Sequence, residues 1–275
     1  MPELPEVEVS RQGLLTYLTG RRIVGAVVRT SKLRHEIPVG LDHRLSGLTV
    51  EAISRRGKYL VFDCAAARGG GWLLIHLGMS GSLRLVPPAT PAQKHDHFDL
   101  VFPETVLRLR DPRRFGDVLW QDGPVVDCHP ALATLGVEPL SDDFSGDWLH
   151  AATRRRRMPV KPVLMDNRLV VGIGNIYAAE SLFLAGISPL RRADQIDLEH
   201  YRRLALAICS TLRASIAAGG SSVRDYVHSD GGAGCYQLSC AVYGRAGQPC
   251  PSCANAVQVV RQAGRSTFYC SNCQC

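Results

Sequence analysis

The stretch Cys250-Pro-Ser-Cys253-Ala-Asn-Ala-Val-Gln-Val-Val-Arg-Gln-Ala-Gly-Arg265-Ser-Thr-Phe-Tyr-Cys270-Ser-Asn-Cys273 holds two C-x-x-C pairs separated by 16 residues. Each pair forms a tight knuckle that offers two thiolates to one ion. Two facing knuckles complete a tetrahedral four-thiolate shell, the geometry and softness that Zn2+ prefers. A closed shell leaves no position for water, so such an ion is structural. Two disulfides or an iron–sulfur cluster are the alternative uses of this spacing. The six other cysteines, Cys64, Cys128, Cys209, Cys235, Cys240 and Cys275, share no common spacing. From 231 to 275 the chain carries Arg245, Arg261 and Arg265 but no Asp or Glu. A short, metal-stapled hairpin of one charge sign suits a nucleic-acid backbone.

Upstream of this module two patterns follow one another. Ile23–Val28, Leu48–Ser54, Tyr59–Asp63, Trp72–Leu77, Asp96–Val101 and Val106–Arg110 are short apolar or alternating runs punctuated by Gly, Pro and Asp. That spacing predicts a sandwich or barrel. A helix precedes it, opened by Pro5, with Val7, Leu14 and Leu18 on one face. After about Leu135 the period becomes helical. Lys161–Met165 and Ile176–Leu184 read as helices around the turn Val171-Gly-Ile-Gly-Asn175, and Asp197–Ala217 sustains a 3.6-residue repeat. Pro139–Asp147, rich in Pro, Ser and Asp, reads as a linker. The fold class is α+β: an N-terminal β-sandwich with an N-terminal helix over 1–135, a helical domain over 136–230, and a capping loop with a zinc-stapled β-hairpin over 231–275.

The 275 residues are 45% hydrophobic and carry a formal charge of +7. This excludes wholesale disorder, and no apolar run nears the roughly 18 residues of a membrane span. The acidic start Met1-Pro-Glu-Leu-Pro-Glu lacks the basic and apolar regions of a secretory signal. A reducing cytoplasm is expected, which favours metal over disulfides. The charge leans towards an anionic partner.

The same N-terminus has its own chemistry. Removal of Met1 would expose Pro2 as a secondary amine, able to attack an electrophilic carbon and form an iminium. A terminal amine, with a pKa near 8, is far closer to neutrality than a lysine. Glu3 is adjacent to handle the proton, and Glu6 lies a helical step further on. Read alone, a Pro-Glu start is usually just a helix N-terminus with acids favoured by the dipole.

This start is one of several motifs that occur in order: Met1-Pro-Glu-Leu-Pro-Glu-Val-Glu8, Arg56-Gly-Lys-Tyr-Leu60, His76-Leu-Gly-Met-Ser-Gly-Ser-Leu83, His95-Asp-His97, Asp111-Pro-Arg-Arg-Phe-Gly116, Leu164-Met-Asp-Asn167, Gly172-Ile-Gly-Asn-Ile-Tyr177, Val242-Tyr-Gly-Arg245 and the cysteine quartet. Together, from Met1 to Cys273, they closely resemble the formamidopyrimidine-DNA glycosylases, bacterial repair enzymes for oxidised purines. The resemblance implies a bifunctional glycosylase and AP lyase acting on damaged double-stranded DNA as a monomer, away from membranes.

By that resemblance Pro2 is the nucleophile on C1′, Glu3 the general acid/base, and Lys58 a second base or proton donor beside the lesion sugar. Lys58 could otherwise only neutralise a phosphate. Arg265 grips phosphates flanking the lesion; because a guanidinium does not readily give up a proton, a clamp suits it better than proton donation. Met79, Arg113 and Phe115 fill the space left by an extruded nucleotide, as a flexible plug, a hydrogen-bonding cation and an aromatic wedge. His95, Arg156, Lys161 and Asn175 match DNA-facing positions, the last opening a helix-two-turn-helix. Cys250, Cys253, Cys270 and Cys273 hold one zinc.

The chain departs from the family's pattern in three places. Cys235, in the loop 231–237 downstream of Arg224, replaces an aromatic residue near the flipped base and puts lesion preference in question. Gly264 replaces a glutamine beside Arg265 and is expected to loosen the hairpin tip. Cys275 stands where a basic residue usually ends the chain and reads as a free exposed thiol. Two other readings compete: an endonuclease VIII-like enzyme for oxidised pyrimidines, and a non-catalytic zinc-ribbon DNA-binding protein.

Overall fold

The computed structural model describes residues 2–66, 69–221 and 239–275, so Arg224 and Cys235 lie outside the described residues. Two compact units emerge, one of 2–133 with 218–221, the other of 134–217 with 239–275.

In the first unit α1 (Leu4–Leu18) precedes β1 (Gly25–Val28), α2 (Leu41–Leu45), β2 (Thr49–Arg56), β3 (Tyr59–Ala66), β4 (Gly69–His76), β5 (Ser82–Val86), β6 (Asp96–Val101), β7 (Val106–Arg110), β8 (Asp117–Asp122) and the short α3 (Pro130–Ala133). The strands form two antiparallel sheets, ordered β1-β6-β7-β5 and β2-β3-β4-β8. Apolar residues of both sheets and of α1 share one core, including Leu14, Leu18, Ile53, Phe62, Ile75, Phe98 and Leu107. Val7, Leu14 and Leu18 form the buried face that their spacing predicts. At about 1.5–3 kcal/mol for each fully buried large apolar side chain, this layer supplies the unit's main driving force.

β5 and β8 are strands that the punctuated runs did not include. Their placement matters, because β4→β5 and β7→β8 are connections that pass from one sheet to the other. The loops 77–81 and 111–116 are therefore sandwich crossovers, and they meet at one end of the unit. A Cβ on Gly78 would collide with the backbone of Phe115 and Gly116.

The second unit holds α4 (Gly146–Thr153), α5 (Val160–Leu164), α6 (Asn175–Leu184), a 3-10 turn at Ala193–Gln195, α7 (Leu198–Ala217) and the hairpin β9 (Gln258–Gln262)–β10 (Arg265–Tyr269). The apolar stripe of α7, with Tyr201, Leu204, Ile208 and Leu212 fully buried, faces α4 and α6. Pro139–Asp147 is not a linker. The units divide between Ala133 and Thr134, and Phe144 is buried. Ser145 caps α4 by accepting the Trp148 N–H at 3.1 Å, and Gly146 presses against the backbone of Arg202. Pro, Ser and Asp serve here as turn and cap chemistry. Among the described residues no helix is long and apolar enough to cross a membrane.

Candidate active site and metal centre

The helix start fixes the N-terminal residues. Glu3 is the N-cap of α1, in extended conformation, and a capping box is closed by its N–H donating to Glu6 Oε2 at 2.7 Å. Glu6 Oε1 also accepts the Ser221 N–H at 2.7 Å and its hydroxyl at 3.0 Å. Pro2 and Glu3 are both buried. The residue-2 nitrogen thus sits at the positive end of a 15-residue helix.

Lys58 occupies the two-residue turn Gly57-Lys58 of the β2–β3 hairpin, between the paired residues Arg56 and Tyr59. Gly57 takes φ +57, as the first position of such a turn requires. Arg55 braces the turn, donating from Nη1 to the Gly57 carbonyl at 3.0 Å and from Nε to Glu8 at 3.1 Å. Burial raises the Glu8 pKa, but hydrogen bonds from Arg11 and Gln12 and the charges of Arg11 and Arg55 outweigh it and hold the carboxyl below its usual range.

His76, at the end of β4, belongs to this cluster and was not singled out from the sequence. Its ring lies 4.7 Å from that of Tyr59. Burial, followed by the charges of Lys58 and Arg34, pushes its pKa down to about 3. Its Nδ1 accepts the Gly78 N–H at 2.9 Å, so in the neutral ring Nε2 carries the hydrogen and serves as a donor. The only sequence signal was its place at the head of the His76–Leu83 motif.

Met79 and Phe115 are exposed at 39% and 44%. The Arg113 guanidinium lies over the Phe115 ring, 4.8 Å from its centre. His95 adopts φ +76, in the left-handed region, and its carbonyl accepts the Asp111 N–H at 3.0 Å. The structure therefore assembles Met79, Arg113 and Phe115 on the touching crossovers.

In the second unit the DNA-facing expectations divide. Lys161 is buried, and its ammonium donates to Asn175 Oδ1 at 2.6 Å, Thr267 Oγ1 at 2.9 Å and the Ser266 carbonyl at 3.2 Å. Asn175, the first residue of α6, donates from Nδ2 to the same Ser266 carbonyl at 3.0 Å. These two side chains tie α5 and α6 to β10 rather than projecting into solvent. Arg156 pairs with Asp166 at 2.8 Å, while Arg154, Arg155 and Arg157 are exposed. Arg265 is exposed at the start of β10, next to the hairpin tip.

The four cysteines converge. Their sulfurs all lie within 4.8 Å of one another, with Cys250–Cys273 at 3.9 Å and Cys253–Cys270 at 3.4 Å. A tetrahedral zinc with bonds of about 2.3 Å requires S–S separations of about 3.8 Å, so the donor set fits one Zn2+. Each knuckle is closed by backbone bonds, Ala254 N–H to the Cys250 carbonyl at 2.9 Å and Gln274 N–H to the Cys270 carbonyl at 3.1 Å. Gln274, buried, receives the Cys270 N–H and donates to the Ile187 carbonyl. Glu180 accepts the backbone N–H groups of Ala241, Val242 and Tyr243 at 2.7–3.0 Å, anchoring the approach to the module. Cys275 is exposed, as its position suggested. Gly264 suits the geometry of the tip. Ala263 and Gly264 take φ +44 and +75, the two left-handed positions of a type I′ turn, where glycine is the fitting residue.

Three family models match the chain: the formamidopyrimidine-DNA glycosylase N-terminal domain over 1–118, the formamidopyrimidine-DNA glycosylase H2TH domain over 135–227, and a zinc finger found in FPG and IleRS over 247–274. A formamidopyrimidine-DNA glycosylase of Dechloromonas aromatica (strain RCB) is 59% identical over 276 residues that cover all of both chains. The crystal structure of the MutM (Fpg) protein of Thermus thermophilus superposes with a TM-score of 0.87 at 37% identity, covering 99% of this chain and 98% of that one. The complex of Lactococcus lactis Fpg with DNA containing an abasic site gives 0.90 at 33% identity and 99% coverage of both chains. The chain belongs to the formamidopyrimidine-DNA glycosylase family.

Proposed function

We propose that this protein excises oxidised purines, such as 8-oxoguanine and formamidopyrimidines, from duplex DNA and then cuts the strand at the resulting site. The observation that carries the reading is the buried Pro2-Glu3 pair at the positive end of α1. An enzyme that both removes a base and breaks the backbone needs an amine, not an activated water, because only an amine leaves an iminium.

With Met1 removed, the Pro2 nitrogen attacks C1′ as the bond to the base breaks, and the base leaves with a proton. Glu3 protonates the ring oxygen as the sugar opens to the Schiff base. The iminium acidifies the C2′ hydrogen; its loss to a base expels the 3′ phosphate, and a second elimination expels the 5′ phosphate. Water then hydrolyses the iminium and frees Pro2. Lys58 acts as base or proton donor beside the sugar, with the His76 Nε2 hydrogen available to a phosphate oxygen. Met79, Arg113 and Phe115 take the space of the extruded nucleotide. Arg265 clamps phosphates, and His95, Arg156, Lys161 and Asn175 serve the DNA-facing surface, Lys161 and Asn175 by shaping it. Zinc, held by the four cysteines, supplies no chemistry to the reaction and stabilises the hairpin that carries Arg265. In this reading 1–135 is the catalytic domain, 136–230 the helix-two-turn-helix domain and 231–275 the capping loop and zinc finger, working as a cytoplasmic monomer.

Borohydride added during reaction with an 8-oxoguanine duplex is expected to trap a covalent protein–DNA product. A variant whose retained N-terminal extension keeps the residue-2 nitrogen as an amide is expected to trap none. No adduct from either protein would support the non-catalytic reading. Faster excision of thymine glycol than of 8-oxoguanine would support the pyrimidine reading.

A further inference from the structure

We infer that Asp111 is a positioning residue for opening the duplex: its buried carboxylate joins the crossovers 77–81 and 111–116 into one rigid wedge. The inference rests on the reading of Met79, Arg113 and Phe115 as fillers of the extruded nucleotide's space.

Asp111 is fully buried. A buried carboxylate persists only where donors satisfy it. Its Oδ1 accepts the Ser80 hydroxyl at 2.7 Å and the Arg113 N–H at 3.3 Å, and its Oδ2 accepts the Gly116 N–H at 2.8 Å. Ser80 belongs to the other crossover, and its Oγ also accepts the Arg113 N–H at 3.2 Å. One side chain therefore holds both crossovers and both ends of the segment that carries Arg113 and Phe115. Its carbonyl is held as well, by the Arg114 N–H at 3.3 Å and by His97 Nε2 at 3.0 Å, which donates because a carbonyl only accepts.

Two further features show how tightly the unit is determined. Arg114 takes φ +54, a conformation that costs a side-chain-bearing residue about 1 kcal/mol and persists only where its surroundings impose it. A Cβ at Gly116 would strike the His76 carbonyl, just as one at Gly78 would strike Phe115. On this fixed base three side chains stand in solvent. Extrusion costs a few kcal/mol, and a loop that had to order itself while inserting would lose a further 1–2 kcal/mol per residue, roughly. Ordering the wedge beforehand removes that second cost. None of Asp111's contacts is with a reacting group in this scheme; it acts through the three fillers.

Asp111→Asn replaces one acceptor with a donor that faces an N–H or a hydroxyl. It is expected to lower kcat/KM for 8-oxoguanine in duplex DNA by about 30-fold, the loss of roughly one charge-assisted hydrogen bond and its geometry. Cleavage at an abasic site in single-stranded DNA, which needs no extrusion, is expected to change by less than about threefold. On a Phe115→Ala background the duplex defect is expected to add less than about twofold, because both changes disable one device. The fluorescence of 2-aminopurine placed opposite the lesion, which rises as the wedge enters, is expected to rise less in the variant. Should Asp111→Asn fail to fold, Ser80→Ala keeps the carboxylate and its backbone bonds and is expected to lose about fivefold on the duplex substrate alone. Equal losses on both substrates, additivity with Phe115→Ala, or wild-type duplex rates would each overturn the inference. A wild-type protein that excises no damaged base overturns the underlying reading itself.

Discussion

The crossovers of the first unit and the hairpin of the second each hold exposed functional candidates in place, by opposite means. The crossovers sit on a sandwich with a continuous apolar core and are joined by a buried carboxylate, the Ser80 hydroxyl and the close approach of Gly78 to Phe115. The hairpin has little core: Val257, Cys250, Cys270 and Val242 with Ala179, and most of β9 lies in solvent. A two-stranded hairpin of this kind is marginal in water. Its order comes from a four-sulfur cluster and from Lys161. Where burial is plentiful, one buried side chain and its hydrogen bonds join the loops; where burial is scarce, the chain commits side chains to ligands.

Removing the metal tests that contrast most severely. Structural zinc contributes on the order of 10 kcal/mol in small modules. Cys250→Ser is expected to abolish stoichiometric zinc and lower affinity for lesion duplex at least about 100-fold, which is under a third of that energy. The thermal transition of the first unit is expected to stay where it is, since its core cluster contains no residue of the hairpin. Full zinc content with unchanged affinity in the variant would break the comparison.

The degree to which each region was legible follows the same division. The quartet, the helix faces and six strands could be read because spacing alone encodes them. The β5 and β8 strands could not, although Gly81 and Pro87 bound the one and Gly116 and Gly123 the other: each begins directly after a loop motif, and Ser82–Val86 and Asp117–Asp122 read as its continuation. Asp111 stood in plain view within Asp-Pro-Arg-Arg-Phe-Gly. What gives it a role is contact with Ser80, 31 residues away, which periodicity does not carry. Lys161 is the converse case. The family match places it at a DNA-facing position, and only the fold brings Asn175 and Thr267 to its ammonium.

Lys161 also supplies the next sharpest test, because brace and phosphate contact leave different traces. Lys161→Met leaves Asn175 Oδ1 and Thr267 short of a donor, at a cost of about 1–3 kcal/mol. Affinity for lesion duplex is expected to fall, while the slope of log affinity against log salt stays unchanged. A direct phosphate contact would instead lower that slope by about one. A reduced slope with an intact melting profile would assign Lys161 to the interface and remove it from the brace.

The smallest effect belongs to the hairpin tip. Gly264 faces open space, so an added methyl group meets nothing, and its φ of +75 alone sets the cost. Gly264→Ala is expected to lose about 1 kcal/mol, seen as faster amide exchange in β9 and β10 with zinc content unchanged. Gly264→Asn, whose side chain tolerates the left-handed region, is expected to lose less. If alanine matched glycine while asparagine did not, the turn would owe its shape to the metal below it and not to its own residues. The staple would then govern the whole hairpin up to Arg265, and the contrast with the carboxylate-held crossovers would be sharper still.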